Sequence, residues 1–298
     1  MSARTTVLAD VAAITRPRRA RTLMRALRII HPFPTLLNVA ATAALAFVAA
    51  GGAPDAGTLA TMLLVMLCAQ SAIGVTNDYC DRGLDAASKP WKPIVAGVVQ
   101  ARDAVILAGA LVVAAAALAA TLGPGSFGLA MLGMGCGLAY DVRLKRTVWS
   151  ALPFMVAIPV LPAWVWLTLG GWQTALWWLL PLGALIGLAL HLANTLPDID
   201  ADASYGIAGL GHRLGARGSM SVAWASFGAA LALSGAIAPL VAYDIRIYAA
   251  TASLGALCLA ASAGAFALRR DSFALQLGFG VLGAGSAALA VGWLAAVG

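Results

Sequence analysis

The sequence predicts an all-α fold: a polytopic membrane protein whose nine transmembrane helices form a bundle around a central cavity, capped by cytoplasmic loops. Three observations predict it. Of 298 residues, 61% are hydrophobic and only 10% charged, whereas about a quarter of a soluble domain is charged. Nine apolar stretches have the length that crosses a bilayer as a helix, roughly 17–25 residues. The basic residues alternate with them. With the amino terminus inside, the inner segments 1–32, 77–102, 142–148, 196–218 and 268–272 hold eighteen of the nineteen Lys and Arg, and only Arg246 falls outside. That is the bias the positive-inside rule demands, and one helix more or fewer would scramble it.

In chain order, residues 1–28 form a basic cytoplasmic segment with seven arginines (Arg4, Arg16, Arg18, Arg19, Arg21, Arg25, Arg28). A flank of that kind attracts anionic lipid headgroups, so the +7 net charge is accounted for by membrane lipid and implies no nucleic acid. Residues 1–15 are expected to be disordered or to lie along the interface, and no cleaved leader is expected. Residues 29–298 form the transmembrane domain, with spans near 33–51, 58–76, 103–122, 124–141, 149–169, 174–195, 219–241, 247–267 and 273–296. Small residues within them, such as Gly133, Gly135, Gly137, Gly183 and Gly187, suit close helix packing. Cys68, Cys80, Cys136 and Cys258 show no Cys-x-x-Cys spacing, which argues against a disulfide framework or a cysteine metal site.

The chemistry gathers in two acidic clusters on inner segments, after the second and sixth spans. The first runs Asn77-Asp78-Tyr79-Cys80-Asp81-Arg82-Gly83-Leu84-Asp85 and the second Asp198-Ile199-Asp200-Ala201-Asp202; together they hold six of the twelve acids in a chain without glutamate. Asp78, Asp81 and Asp85 stand at i, i+3 and i+7, which is one helix face, and Asp198 and Asp202 stand at i and i+4 with Asn194 one turn earlier and His191 three residues before that. Like charges at this spacing repel unless something neutralises them. Hard oxygens suit Mg²⁺, which takes one or two carboxylates plus water and substrate phosphate, so two facing half-sites would hold a diphosphate between bridging metal ions. Lys89, Lys92, Arg143, Lys145, Arg146 and Arg213 surround the same region, where cations would stabilise a departing diphosphate. Each is also accounted for singly by the inside bias.

The stretch Asn77 to Gly97, NDYCDRGLDAASKPWKPIVAG, resembles the first signature of the UbiA superfamily of intramembrane prenyltransferases, and Asn194 to Gly215, NTLPDIDADASYGIAGLGHRLG, resembles the second. The resemblance implies Mg²⁺-dependent transfer of a prenyl group from an isoprenoid diphosphate to an aromatic or quinone-precursor acceptor. It assigns Asn77, Asp78, Asp81 and Asp85 to Mg²⁺ and diphosphate, lets Asp198 and Asp202 complete the site, makes Tyr140 and Lys145 catalytic candidates, and sets Asn38 at the cavity. Lys89-Pro90 and Lys92-Pro93 replace the usual Arg-Pro elements, keeping charge but losing the planar fork of arginine. Asp141 stands where the resemblance leads one to expect a neutral residue, and Asp200 is an additional acid.

Water would quench an allylic cation, which is a reason to house the reaction within a bundle. Trp164, Trp166, Phe154 and His31 are candidates to line an apolar tunnel for the prenyl tail. The alternative within the same superfamily is a terpene cyclase, in which a double bond of the prenyl chain itself captures the cation. A transporter is disfavoured because the acids gather at the membrane edge rather than mid-span.

Overall fold

The computed structural model describes residues 23–196, 199, 208–241, 243–268 and 272–297, the last segment by backbone alone over 272–275. The expectations for Asp198, Asp200 and Asp202, and for the arginines before residue 23, lie outside the described residues. Nine long helices are described: α1 Pro32–Ala49, α2 Ala56–Ser88, α3 Ala101–Ala120, α4 Pro124–Val142, α5 Leu152–Thr168, α6 Leu179–Thr195, α7 Leu210–Ala236, α8 Ile245–Leu268 and α9 Ser272–Val297. By length and apolar composition, eight helical stretches of the described chain can cross a membrane. The helix outside that set is α4, whose glycines and terminal Tyr140 and Asp141 dilute its apolar character. Long apolar side chains such as Phe33, Leu37, Ile106, Val113 and Leu257 are exposed on the outside of the bundle, as lipid contact requires.

Two helices run beyond the spans drawn from hydropathy. Hydropathy ends the second apolar span at 76, yet α2 continues to Ser88 and carries the whole first acidic cluster on regular helix, the face its spacing predicts. Charge ends an apolar stretch without ending a helix, because the backbone keeps its own hydrogen bonds. Asp55 starts α2 by accepting from the Thr58 N–H at 2.8 Å, and this bond holds its carboxyl below the usual carboxylate range. The seventh span, drawn from 219, begins at Leu210, with a break at Gly215 (φ 66°, ψ 173°) that favours glycine.

Packing then positions the site. Helices α1, α2, α4 and α5 form a ring in which each contacts the next, and α6 joins α5 to α7 and α9. Ile73 lies against Gly137 and, one turn along each helix, Asn77 meets Asp141, so α2 and α4 run side by side in the same direction there. A side chain at Gly187 would collide with the Phe154 carbonyl and one at Gly183 with Pro159, so these glycines let α6 lie directly on α5, whose Pro159 and Pro162 interrupt its own ladder. A core of Leu45, Met62, Val65, Trp164, Val165, Trp166, Leu179 and Trp293 closes the end of the bundle away from the acidic cluster.

Candidate active site

Each carboxylate of the first cluster meets a cation. The turn Leu27–Ile30 ends at His31, a left-handed residue (φ 49°) just before Pro32 opens α1. Gly74 lets this turn lie on α2, since a Cβ there would stand 3.1 Å from the Ile30 carbonyl and 3.2 Å from the His31 Cβ. One turn further on, buried Asp78 accepts from His31 Nε2 at 2.8 Å and from Lys92 Nζ at 2.8 Å. Lys92 also reaches Asp85 at 2.7 Å, so one ammonium joins two carboxylates of the same helix face. Burial pulls the Lys92 pKa down, but hydrogen bonds to Asp78 and Asp85 and their charge outweigh it and raise it above the ordinary ammonium value.

Asp81 faces a different set of partners. Lys145, only 8% exposed, donates to it at 2.5 Å, Arg146 stands 3.8 Å away, and Asn77 Nδ2 donates to it at 3.1 Å and to Asp141 at 2.8 Å. The Lys145 ammonium comes from the short turn Leu144–Arg146 that follows α4. Gly209 packs beside the Lys145 carbonyl, where a Cβ would sit at 2.7 Å, and this brings the start of α7 to the site. Ser150 completes that wall: its Oγ accepts from the Leu210 N–H at 3.0 Å and lies 2.9 Å from Nε2 of buried His191 on α6.

Three cavities follow one another from this cluster into the bundle. A polar cavity of about 210 Å³ is lined by Asn77, Asp81, Asp85, Lys89, Lys92, Tyr140, Lys145, Ser150, His191, Asn194, Thr195 and His212, among others. It shares Asn77 and Tyr140 with a middle cavity of about 400 Å³, which His31, Thr35, Asn38, Gln70, Asp141 and Phe154 also line. The middle cavity in turn shares Asn38, Gln70 and Ile73 with an apolar cavity of about 140 Å³ that reaches Trp164 between α2, α4 and α5. Tyr140 stands at the first junction with its ring edge-on to Phe154 (5.2 Å) and His191 (5.9 Å).

The candidates named from sequence are thus brought together unevenly. Asn77, Asp81, Asp85, Lys89, Lys92, Tyr140, Lys145 and Asn194 share the polar cavity, and Asn38 lines the two cavities beyond it. Asp78 lines a separate opening with Arg28, His31, Trp91 and Lys92. Arg143 and Arg213 are exposed and line none of these cavities, and Arg146 reaches the cluster only through Asp81. Of the tunnel candidates, Trp164, Phe154 and His31 line cavities, whereas Trp166 is packed into the core. Gln70, Ser150, Thr195 and His212 were not singled out from sequence; their only signal was a polar residue beside an apolar run, and such residues are common at helix ends.

Among the described residues no three His, Cys, Asp or Glu side chains converge closely enough to hold a metal ion alone. Mg²⁺ does not require that, since it binds through one or two carboxylates and completes its shell with water and phosphate oxygens. Asp81, Asp85 and Asn77 offer hard oxygens to the polar cavity, and Oδ2 of buried Asp78 has no hydrogen-bond partner among the described residues. The donor set therefore fits a magnesium ion shared with a phosphate-bearing ligand.

Comparison with known proteins gives a consistent result. The UbiA prenyltransferase family model matches residues 37–279. A digeranylgeranylglyceryl phosphate synthase of Methanoregula boonei is 31% identical over 231 residues, covering 72% of this chain and 80% of the relative. A 4-hydroxybenzoate octaprenyltransferase of Vibrio atlanticus is 29% identical over 195 residues, covering 63% and 68%. Among solved structures, a UbiA homolog from Archaeoglobus fulgidus bound to DMAPP and Mg²⁺ superposes with a TM-score of 0.69 at 16% identity, covering 86% of this chain and 98% of that one. The apo structure of a UbiA homolog from Aeropyrum pernix gives 0.66 at 20% identity, covering 84% and 96%. At these identities the structural likeness speaks to the fold.

Proposed function

Since the chain belongs to the UbiA prenyltransferase family and is an integral membrane enzyme, we propose that it transfers a prenyl group from an isoprenoid diphosphate to an aromatic or quinone-precursor acceptor, with release of diphosphate. The observation that carries this reading is the sequence of cavities: a cation-and-carboxylate cavity that opens, through Asn77 and Tyr140, into a compartment leading to an apolar end at Trp164. A diphosphate fits the first, an isoprenoid tail the last, and the bond that must break lies between them. The DMAPP and Mg²⁺ bound by the Archaeoglobus homolog support the choice of substrate and metal.

In this mechanism Lys145, Lys92 and Lys89 hold the diphosphate and stabilise the charge that builds on it as the allylic C–O bond breaks, its electron pair leaving with the diphosphate. Asn77, Asp81 and Asp85, with Asp78 beside them and Asp198 and Asp202 from the second cluster, would hold Mg²⁺, which when bound supplies further positive charge to the leaving group. Tyr140 faces the allylic carbon, where its ring both excludes water and offers a π-face to a developing cation. The acceptor supplies the electron pair for the new bond and loses a proton, for which the released diphosphate is an adjacent base. The chemistry sits on the cytoplasmic side, with the amino terminus inside and the carboxyl terminus outside.

The test is to incubate the purified protein with labelled prenyl diphosphates of several lengths and Mg²⁺, with and without phenolic acceptors. A prenylated acceptor that forms only when acceptor is present is the expected result. A hydrocarbon or alcohol made equally well without acceptor would replace this reading with the cyclase.

A further inference from the structure

The middle cavity contains a group that binding of the diphosphate does not use. Asp141 is 3% exposed, lines that cavity, and spends Oδ1 on the hydrogen bond from Asn77, while its Oδ2 has no hydrogen-bond partner among the described residues. A buried carboxylate oxygen without a donor is costly, and a ligand that brings a donor removes the cost. The other polar side chains around the cavity are His31, Thr35, Asn38, Gln70, Asn77 and Tyr140. His31 is committed to Asp78, Thr35 donates to the Ile30 carbonyl, and Asn38 donates to the Pro34 carbonyl. Among the described residues, no Lys or Arg lines either the middle or the apolar cavity, whereas Lys89, Lys92 and Lys145 line the polar cavity.

We propose that Asp141 holds the acceptor, and that the acceptor is an uncharged molecule presenting a hydroxyl or N–H to Asp141 Oδ2, rather than one bearing a carboxylate or phosphate. This rests on the prenyl-transfer reading above. An anionic acceptor would have to bury its charge beside a carboxyl in a cavity that no Lys or Arg lines, a cost a neutral hydroxyl avoids. The same bond sets position: Asp141 follows Tyr140 directly and accepts from Asn77 at 2.8 Å, so a phenol donating to Oδ2 is held at the junction where the prenyl carbon is released.

The experiment compares 4-hydroxybenzoate, its uncharged methyl ester, and the methyl ether of that ester as acceptors, in the intact protein and in Asp141→Asn. In the unaltered protein the uncharged phenol is expected to be at least tenfold better in kcat/KM than the carboxylate, and the ether, which has no donor, to be a poor acceptor. In Asp141→Asn the acceptor KM for the phenol rises by about tenfold to a hundredfold, the loss of one hydrogen bond to a charged group. The KM for prenyl diphosphate moves far less, because the amide oxygen of the variant can still accept from Asn77, whereas damage to the bundle would move both. A carboxylate acceptor used as well as its ester, or an acceptor KM unchanged in Asp141→Asn, overturns the assignment and leaves prenyl transfer standing. The first comparison needs no variant, so misfolding of Asp141→Asn would not protect the proposal. Failure to prenylate any acceptor overturns the transfer reading and this inference together.

Discussion

Asp81 and Lys145 make the closest contact between an acid and a base at the polar cavity, 2.5 Å. Replacing Asp81 by Ala, or Lys145 by Met, is expected to lower kcat by about a hundredfold or more, the usual cost of removing one group that stabilises transition-state charge; single-turnover assays measure it. Lys92 has a structural duty as well. Lys92→Met leaves Asp78 and Asp85 facing each other without their cation, and is expected to cost about 2–4 kcal/mol, somewhat under the range for a sealed pair because 16% of the Lys92 side chain is open. A thermal melt in detergent reads this, and adding Asp85→Asn is expected to restore part of the loss. These roles were only half legible in the sequence. The i, i+3, i+7 spacing placed the three acids on one face, but could not foretell that Lys92 would pair Asp78 with Asp85 while Lys145 took Asp81. Pairing across 64 residues depends on how α4 and its following turn pack on α2, which no local pattern encodes.

At the scale of elements, glycine decides where helices touch. Gly187 faces the backbone of Phe154 and cannot be relieved by moving a side-chain tip. Gly187→Leu is therefore expected to push α6 from α5 and to destabilise by about 1–3 kcal/mol or more, seen as a lower unfolding temperature in detergent, whereas substitution at Gly264, with open space around its Cα, should leave it unchanged. Because Phe154 and His191 both pack on Tyr140, the same variant should also weaken turnover. Hydropathy located the apolar body of each helix well and its ends poorly. It stopped at charge, and so ended the second span twelve residues early, although the i, i+3, i+7 spacing puts those acids on a helix face, and began the seventh nine residues late. Those extensions matter most, since Asn77, Asp81 and Asp85 on one and His212 on the other line the polar cavity.

For the whole molecule, the distribution of Lys and Arg predicts an orientation as well as a fold. A cysteine placed at Asp244 in an otherwise cysteine-free protein should be labelled by an impermeant reagent from outside the cell, and one placed at Arg82 only after the membrane is opened; the reverse pattern would invert the orientation proposed here. Composition and loop charge were enough to read an all-α membrane bundle, and the paired motifs to read its family. The order of the cavities, and the placement of Asp141 between the charged end and the apolar end, emerged only from packing. In the proposed reaction the charged cavity detaches diphosphate from a prenyl carbon housed in the next. The most direct measurement of it is diphosphate release from a labelled prenyl diphosphate in the presence of acceptor by the purified protein, with Mg²⁺ and with chelator, beside Asp81→Ala and Lys145→Met. We expect release that requires Mg²⁺ and falls at least about a hundredfold in both variants; release that persists undiminished in them, or fails to occur in the unaltered protein with any chain length, would rule that reaction out.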